Sequence, residues 1–416
     1  MRIASATADS NPEPILKPFG FKGGYLSELW QTRVELTDES GARGAGLGVQ
    51  SCLWSDAAVF SSLPEREANE LMFALTRRAL EVAKGVDFDT PPELLDKVFP
   101  EVLEHGRRLT GRPDLRPTFA LNALVPFDFA AWTLYAHARG LVSFDEMLPP
   151  CFRAAQRARH ARCASIPLIT YGTSLSEVKA LAEAGYFFFK IKIGQPGTQE
   201  EMLRKDCERV SAIHALLKDV ETPWTESGRC VYYFDANGRY GTKETLLRFA
   251  GHLERIGAAA HTAIVEEPFD ELNETDVRDV PLRLAADESA HTAADAVRRM
   301  DLGYAAMALK PIAKTLSVSL EVAVAAQARG VPCFCADLTV SPAMVEWNKA
   351  VAARLDAFPG LKGLGLVETN GEQNYVNWER MRTALPRPDA PWTRTRRGCF
   401  ELDETYWETP FFGGIA

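Results

Sequence analysis

The 416-residue chain lacks any apolar run approaching the roughly 20 residues needed to cross a bilayer, and its opening residues MRIASATADSN lack the apolar segment of a secretory leader. It also lacks an excess of basic charge. Forty-seven Lys and Arg stand against fifty-six Asp and Glu, a net charge of -9, which offers no electrostatic footprint for nucleic acid or an anionic membrane. The eight cysteines, at 52, 151, 163, 207, 230, 333, 335 and 399, contain no C-x-x-C pair, so neither a zinc ribbon nor a disulfide framework is implied. The seven histidines have no metal-ligand spacing, and no short repeat recurs. These absences predict a cytoplasmic protein acting on a small molecule, without nucleic-acid or membrane partners, and leave a homo-oligomer open. A hydrophobic fraction of 46% with 25% charged residues is the composition of an ordinary folded chain.

Two rhythms divide what is present. Residues 26–50 read as two strands around the polar turn Asp38-Glu39-Ser40-Gly41, and 64–84 and 120–139 carry Ala/Leu patterns at helical spacing. This predicts an α+β unit over residues 1–160, with the basic stretch 153–162 at its edge as a solvated crossover. Beyond it, short apolar runs alternate with amphipathic segments. The runs are 167–172, 187–194, 231–237, 263–268, 282–289, 305–311, 332–337 and 363–369. The segments between them begin near Ser or Thr and end near Gly, which is the chemistry of helix starts and stops. The expected fold class is therefore α/β, a TIM-type barrel over 161–370 with the α+β unit as a second domain, leaving 371–416 as a C-terminal segment.

Barrel strands should be apolar, yet several of these end in charge, at the rim where TIM-barrel chemistry sits. The third run ends in Asp235, the fourth in Glu266 and Glu267, the fifth in Asp287 and Glu288. Carboxylates converging from neighbouring strand ends repel one another, and a hard divalent cation relieves that repulsion; Mg²⁺ fits best, since it is held by a few carboxylates with positions left for water or substrate oxygen. Lys190 and Lys192 are two residues apart and so share one face of their strand. Facing inward, the two ammonium groups would lower each other's proton affinity and make a base. Lys310 ends the sixth run, opposite the second around an eight-stranded barrel. A carboxylate substrate on the cation would then have a lysine on either side of its α-carbon, which is the arrangement for moving an α-proton.

The motifs K-I-K (Lys190, Lys192), D-A-N (Asp235, Asn237), E-E-P (Glu266 to Pro268), A-D-E-S (Asp287 to Ser289) and A-L-K (Lys310) come in an order that resembles the mandelate racemase and muconate lactonizing group of the enolase superfamily. A lysine opposing the K-I-K pair is similar to the muconate lactonizing subgroup. The resemblance implies a (β/α)7β barrel with an N-terminal capping domain to which 371–416 returns. It implies Mg²⁺ on Asp235, Glu266 and Asp287, Lys192 and Lys310 as acid/base groups, Lys190 tuning Lys192, and Asn237 and Glu288 behind the metal. It further implies racemisation or epimerisation of an amino-acid derivative or dipeptide, as in an L-Ala-D/L-Glu epimerase, with a cycloisomerase or o-succinylbenzoate synthase-type lyase as the alternative on the same scaffold. Substrate contacts are expected from the loops 18–25 and 51–55, through Phe21, Tyr25 and Trp54, and from Asp337 and Glu368. The sequence departs from the group in Pro311, in Thr315-Leu316 where a Gly-Gly pair is usual, and in Glu368-Thr369-Asn370 where dipeptide epimerases carry Asp-x-Asp. A Schiff-base aldolase and a non-catalytic metal-binding relative compete with this reading.

Overall fold

Between Trp30 and Asp38 buried and half-buried or exposed side chains alternate, as they must on a strand with one face against a core. In the computed structural model, which describes residues 1–21, 24–409 and 411, this segment lies in β2 of a three-stranded antiparallel sheet, β1 (Ile3–Phe21), β2 (Gly24–Asp38) and β3 (Arg43–Gln50). The turn expected at Asp38 to Gly41 joins β2 to β3. The long first strand was not anticipated. Its Pro12, Pro14 and Pro18 argue against a strand, but β1 lies at the edge of the sheet, where a missing N–H costs no ladder bond.

The helix Pro117–Ala138 is buried almost all round and packs on this sheet. Its approach depends on glycines in β3: a Cβ on Gly44 would lie 2.3 Å from the Ala130 carbonyl oxygen, and one on Gly46 2.2 Å from that of Pro126. The same helix reaches into the second unit. Asp128 accepts the backbone N–H groups of Leu316 (2.9 Å) and Ser317 (3.1 Å) and the Ser317 hydroxyl (2.5 Å), and so caps the helix Leu316–Gln327 across the domain boundary.

That second unit is a parallel barrel. Its strands are β4 (Arg162–Ile166), β5 (Leu168–Ile169), β6 (Phe188–Lys192), β7 (Val231–Asp235), β8 (Thr262–Glu266), β9 (Leu284–Ala286), β10 (Ala306–Leu309), β11 (Cys333–Cys335) and β12 (Gly365–Glu368), with β13 (Cys399–Glu401) added outside. The order β13-β4-β12-β11-β10-β9-β8-β7-β6-β5 closes on itself because Pro167 alone separates β4 from β5. The two pieces act as one strand, pairing with β12 on one side and β6 on the other. The C-terminal segment divides its contacts: Tyr375 bridges to Ile15 of β1, whereas β13 runs antiparallel on β4. Among the described residues no helix is long and apolar enough to cross a membrane, and the cysteines of the barrel strands, Cys333 and Cys335 among them, are buried free thiols.

Thr315, where the resembling group carries glycine, keeps a glycine's backbone: its φ of 72° and ψ of 154° lie in a region side chains rarely enter. Such a conformation costs of order 1–3 kcal/mol. The hydroxyl offsets part of this by capping the Val318 N–H at 3.3 Å, a bond worth about 1 kcal/mol. Thr315→Ala keeps the strain and loses the cap, whereas Thr315→Gly loses the cap and the strain together. Urea unfolding is expected to place the glycine variant above the alanine variant by about 1–2 kcal/mol; equal stabilities would show that Thr315 is unstrained.

Candidate active site

Register brings the charged strand ends to one rim. Lys192 of β6 is level with Asp235 of β7, which is level with Glu266 of β8. The chain then turns sharply: Asn237 (φ 44°) and Glu267 (φ 38°) both take left-handed backbone conformations just past these ends, a strain of the kind that persists where surrounding contacts fix it. The turn at Asn237 lets its amide oxygen accept from Lys192 Nζ at 2.6 Å and its amide nitrogen donate to Glu288 at 3.2 Å. Glu267 points away from the rim centre and accepts from the Asp287 N–H (2.8 Å), the Ser289 N–H (3.1 Å) and the Ser289 hydroxyl (3.0 Å), fixing the end of β9.

Four lysines meet these carboxylates. Lys190 Nζ lies 2.9 Å from Asp235, 3.3 Å from Glu266 and 3.0 Å from Glu368, above the Tyr233 ring at 4.7 Å. Lys192 Nζ lies 2.6 Å from Asp235 Oδ2. Lys310 pairs with Asp287 Oδ2 and sits 4.4 Å from the Trp54 ring centroid. Lys314, one helical turn later, donates to the Asp287 carbonyl (2.8 Å), Asp287 Oδ1 (3.3 Å) and the Ala290 carbonyl (3.2 Å). The expectation that Lys190 and Lys192 weaken each other's hold on a proton is half corrected. Burial lowers the proton affinity of Lys192 below that of an ordinary lysine, and the charge on Lys190 adds to the effect against the attraction of Asp235. Burial acts on Lys190 in the same sense, but Asp235, Glu266 and Glu368 outweigh it and hold the proton firmly. On Lys310 too, burial is outweighed, by Asp287, Glu288 and Glu266, so that its pKa is raised.

The carboxylates are buried in turn. Burial pushes Glu266 up to about 8, with Lys190 opposing and Asp287 reinforcing. Asp235 also suffers burial, yet Lys190 and Lys192 bring it down to about 2. One oxygen from each of Glu266, Asp287 and Glu288 lies within 4.8 Å of the others. Glu266 Oε1 is buried without a hydrogen-bond partner among the described residues, an atom suited to a cation rather than to the neighbouring carboxylates. Asp235 stands beside this group, its Oδ2 between Lys190 and Lys192, so the tightest cluster contains Glu288 where the sequence reading has Asp235.

Over the rim lies a cavity of about 50 Å³, lined by Lys190, Lys192, Asp235, Asn237 and Lys310 below and by Ile15, Leu26, Leu29, Ser51 and Trp54 from the first domain above. Trp54 is 4% exposed. Its short helix Cys52–Ser55 is pinned by Asn122, which accepts the Ser51 N–H at 2.9 Å, and by Thr118, whose hydroxyl donates to the Ser55 carbonyl at 2.6 Å. Asp337 and Glu368 line the far side, with Asn370. Of the other two expected substrate contacts, Tyr25 is 70% exposed at the β1–β2 tip and does not line the cavity. The Phe21 side chain lies outside the described residues. Sequence reasoning missed Lys314, Asn370 and the three aliphatic residues of the first domain. Lys314 had one signal, its four-residue spacing from Lys310; the aliphatic residues had none, because nothing local distinguishes a cavity wall from a core.

The enolase C-terminal domain-like family matches residues 174–387. An L-Ala-D/L-Glu epimerase of Thermotoga maritima is 24% identical over 286 residues, 68% of each chain. The fold is that of a mandelate racemase/muconate lactonizing protein from Herpetosiphon aurantiacus (TM-score 0.66, 15% identity, 99% of this chain and 98% of that one). A dipeptide epimerase from Cytophaga hutchinsonii, solved with Mg and the dipeptide D-Ala-L-Val, is similar at a TM-score of 0.64 and 16% identity, covering 90% of this chain and 89% of the other.

Proposed function

Since this chain belongs to the enolase C-terminal domain-like family, we propose that it is an isomerase that removes and returns the proton α to a substrate carboxylate, racemising or epimerising an amino-acid derivative or dipeptide. The observation that carries the reading is the pairing of Lys192 on β6 with Lys310 on β10, four strands apart in the barrel, around a buried carboxylate cluster. A Schiff-base lysine would not need that cluster. The relatives whose names include dipeptide or L-Ala-D/L-Glu epimerase support the choice of epimerisation.

Asp235, Glu266 and Asp287 would hold Mg²⁺, with Glu288 and Asn237 keeping them in place. When bound, the ion supplies positive charge to the carboxylate whose α-proton is being removed. The chain's own part is acid/base work. Lys192, whose proton affinity burial has weakened, takes the α-proton on one face, and Lys310 delivers one to the other; the reverse reaction exchanges their roles. Lys190 stays charged, orients Asp235 and Glu266, and attracts the substrate carboxylate. Trp54 covers Lys310 and keeps water from the reacting carbon.

The test is proton exchange in D₂O. With Mg²⁺, N-acyl amino acids and dipeptides should gain deuterium at a retained α-carbon and lose optical purity. A new alkene absorbance without exchange would instead indicate elimination, and full activity in excess chelator would remove the metal from the reading.

A further inference from the structure

Each carboxylate proposed as a metal ligand has one of its two oxygens held by a donor of the chain itself. Asp235 Oδ1 accepts the Asn237 N–H at 3.0 Å, within the turn that follows β7. Glu266 Oε2 accepts from Lys190 Nζ at 3.3 Å. Asp287 Oδ1 accepts from Lys314 Nζ, also at 3.3 Å. The remaining oxygens are placed differently. Glu266 Oε1 is buried with no hydrogen-bond partner among the described residues. Asp235 Oδ2 faces Lys190 and Lys192, and Asp287 Oδ2 faces Lys310; these are the lysines that the acid/base reading turns toward the substrate.

Lys314 stands apart from those lysines. It is 3% exposed and does not line the cavity. An ammonium has three donors, and Lys314 meets three acceptors, all in the loop that follows β9: Asp287 Oδ1, the Asp287 carbonyl (2.8 Å) and the Ala290 carbonyl (3.2 Å). The short helix Pro311–Lys314 explains the placement. Lys310 precedes its first residue and Lys314 is its last, four positions apart and so on one face. One carboxylate therefore meets both lysines, Lys310 at Oδ2 and Lys314 at Oδ1. A carboxylate with both oxygens open can grip a cation with two, which suits the large and loosely arranged oxygen shell of Ca²⁺; Mg²⁺ demands a small, near-octahedral one.

We infer that Lys314 is a positioning residue that sets the choice of metal: by occupying Asp287 Oδ1 it limits this ligand to one oxygen and so favours Mg²⁺ over Ca²⁺. This rests on the reading above for Asp287 as a metal ligand, and it gives a role to a lysine that takes no part in the proton transfer.

The experiment is calorimetry of Mg²⁺ and of Ca²⁺ binding to the full chain, as parent, Lys314→Met and Lys314→Gln, each first stripped with chelator. Both variants remove a positive charge, which tightens the binding of either divalent ion alike. The ratio of the two dissociation constants cancels that effect and reports the oxygens available. The parent should bind Mg²⁺ more tightly than Ca²⁺. In each variant the ratio should move toward Ca²⁺ by about tenfold, the lower end of the change in metal affinity that follows loss of a ligand's hydrogen-bond partner. Thr315→Ala disturbs the same turn without touching a carboxylate and should leave the ratio at the parent's value. Thermal unfolding without metal identifies a variant that has lost its fold; the other then carries the comparison, beside the parent's own preference. A parent that binds Ca²⁺ as tightly as Mg²⁺, an unchanged ratio in a folded Lys314 variant, or an equal shift in Thr315→Ala overturns the inference. A parent that binds neither ion overturns it together with the metal part of the proposed function. The expected shift in a chain that exchanges no α-proton keeps the inference and overturns the proton-transfer reading.

Discussion

Alanine or methionine in place of Lys310 is expected to lower epimerisation by about 10²–10⁴-fold, the range a positioned acid/base group contributes. Lys192→Ala should do the same to the overall reaction, yet the two variants should differ in partial reactions. On the proposed mechanism each lysine serves one face of the α-carbon, so each variant should retain exchange from one stereoisomer and lose it from the other. Following deuterium incorporation separately from the L and D substrates reads this directly. Equal retention from both isomers in both variants would remove the lysines from the mechanism. The methionine version of Lys310 is the better control for folding. Lys310 is buried against Asp287 and the Trp54 ring, and its aliphatic stem contributes packing that alanine deletes. Removing one partner of a buried ion pair costs about 3–5 kcal/mol, so thermal unfolding should accompany the kinetics.

Glu266→Gln should move stability and metal binding in opposite directions. Glu266 is fully buried, one of its oxygens has no hydrogen-bond partner among the described residues, and the Asp287 carboxylate lies close by. An amide of the same shape keeps an oxygen for Lys190, holds the position neutral at every pH, where burial only pushes the Glu266 carboxyl up to about 8, and offers its N–H to a neighbouring carboxylate. Without divalent cation the variant should therefore equal the parent in stability or exceed it by about 1–3 kcal/mol. The parent should gain stability as Mg²⁺ is added, by ligand linkage, and the variant should gain none. Differential scanning with and without Mg²⁺ measures both effects. A variant that is less stable without metal, or that retains the full Mg²⁺-dependent rise, would mean that Glu266 is a structural carboxylate held by Lys190.

The parts of this site that were legible came from short-range patterns. Lys190 and Lys192 share a strand face because side chains alternate, and Asp235, Glu266 and Asp287 declare themselves as charges ending apolar runs. Glu267 sits in the same E-E-P motif but faces elsewhere, caught by a left-handed turn that no single sequence announces. Asp337, a candidate substrate contact in sequence, does line the cavity, but only the structure shows that its oxygens also accept backbone N–H groups of its own loop and of the loop beyond β12. β1 was hidden by its prolines, which an edge position tolerates, and β13 by its brevity.

The chain's local order thus determined the barrel, its separate first domain, and which charged groups gather at the rim, because side-chain period and helix capping act over a few residues. Only the tertiary structure decided which cation meets which carboxylate. Lys190 touches Glu368, 178 positions away, and Trp54 covers Lys310 from another domain. Register and burial set those pairings, and through them they set which lysine holds its proton tightly and which gives it up.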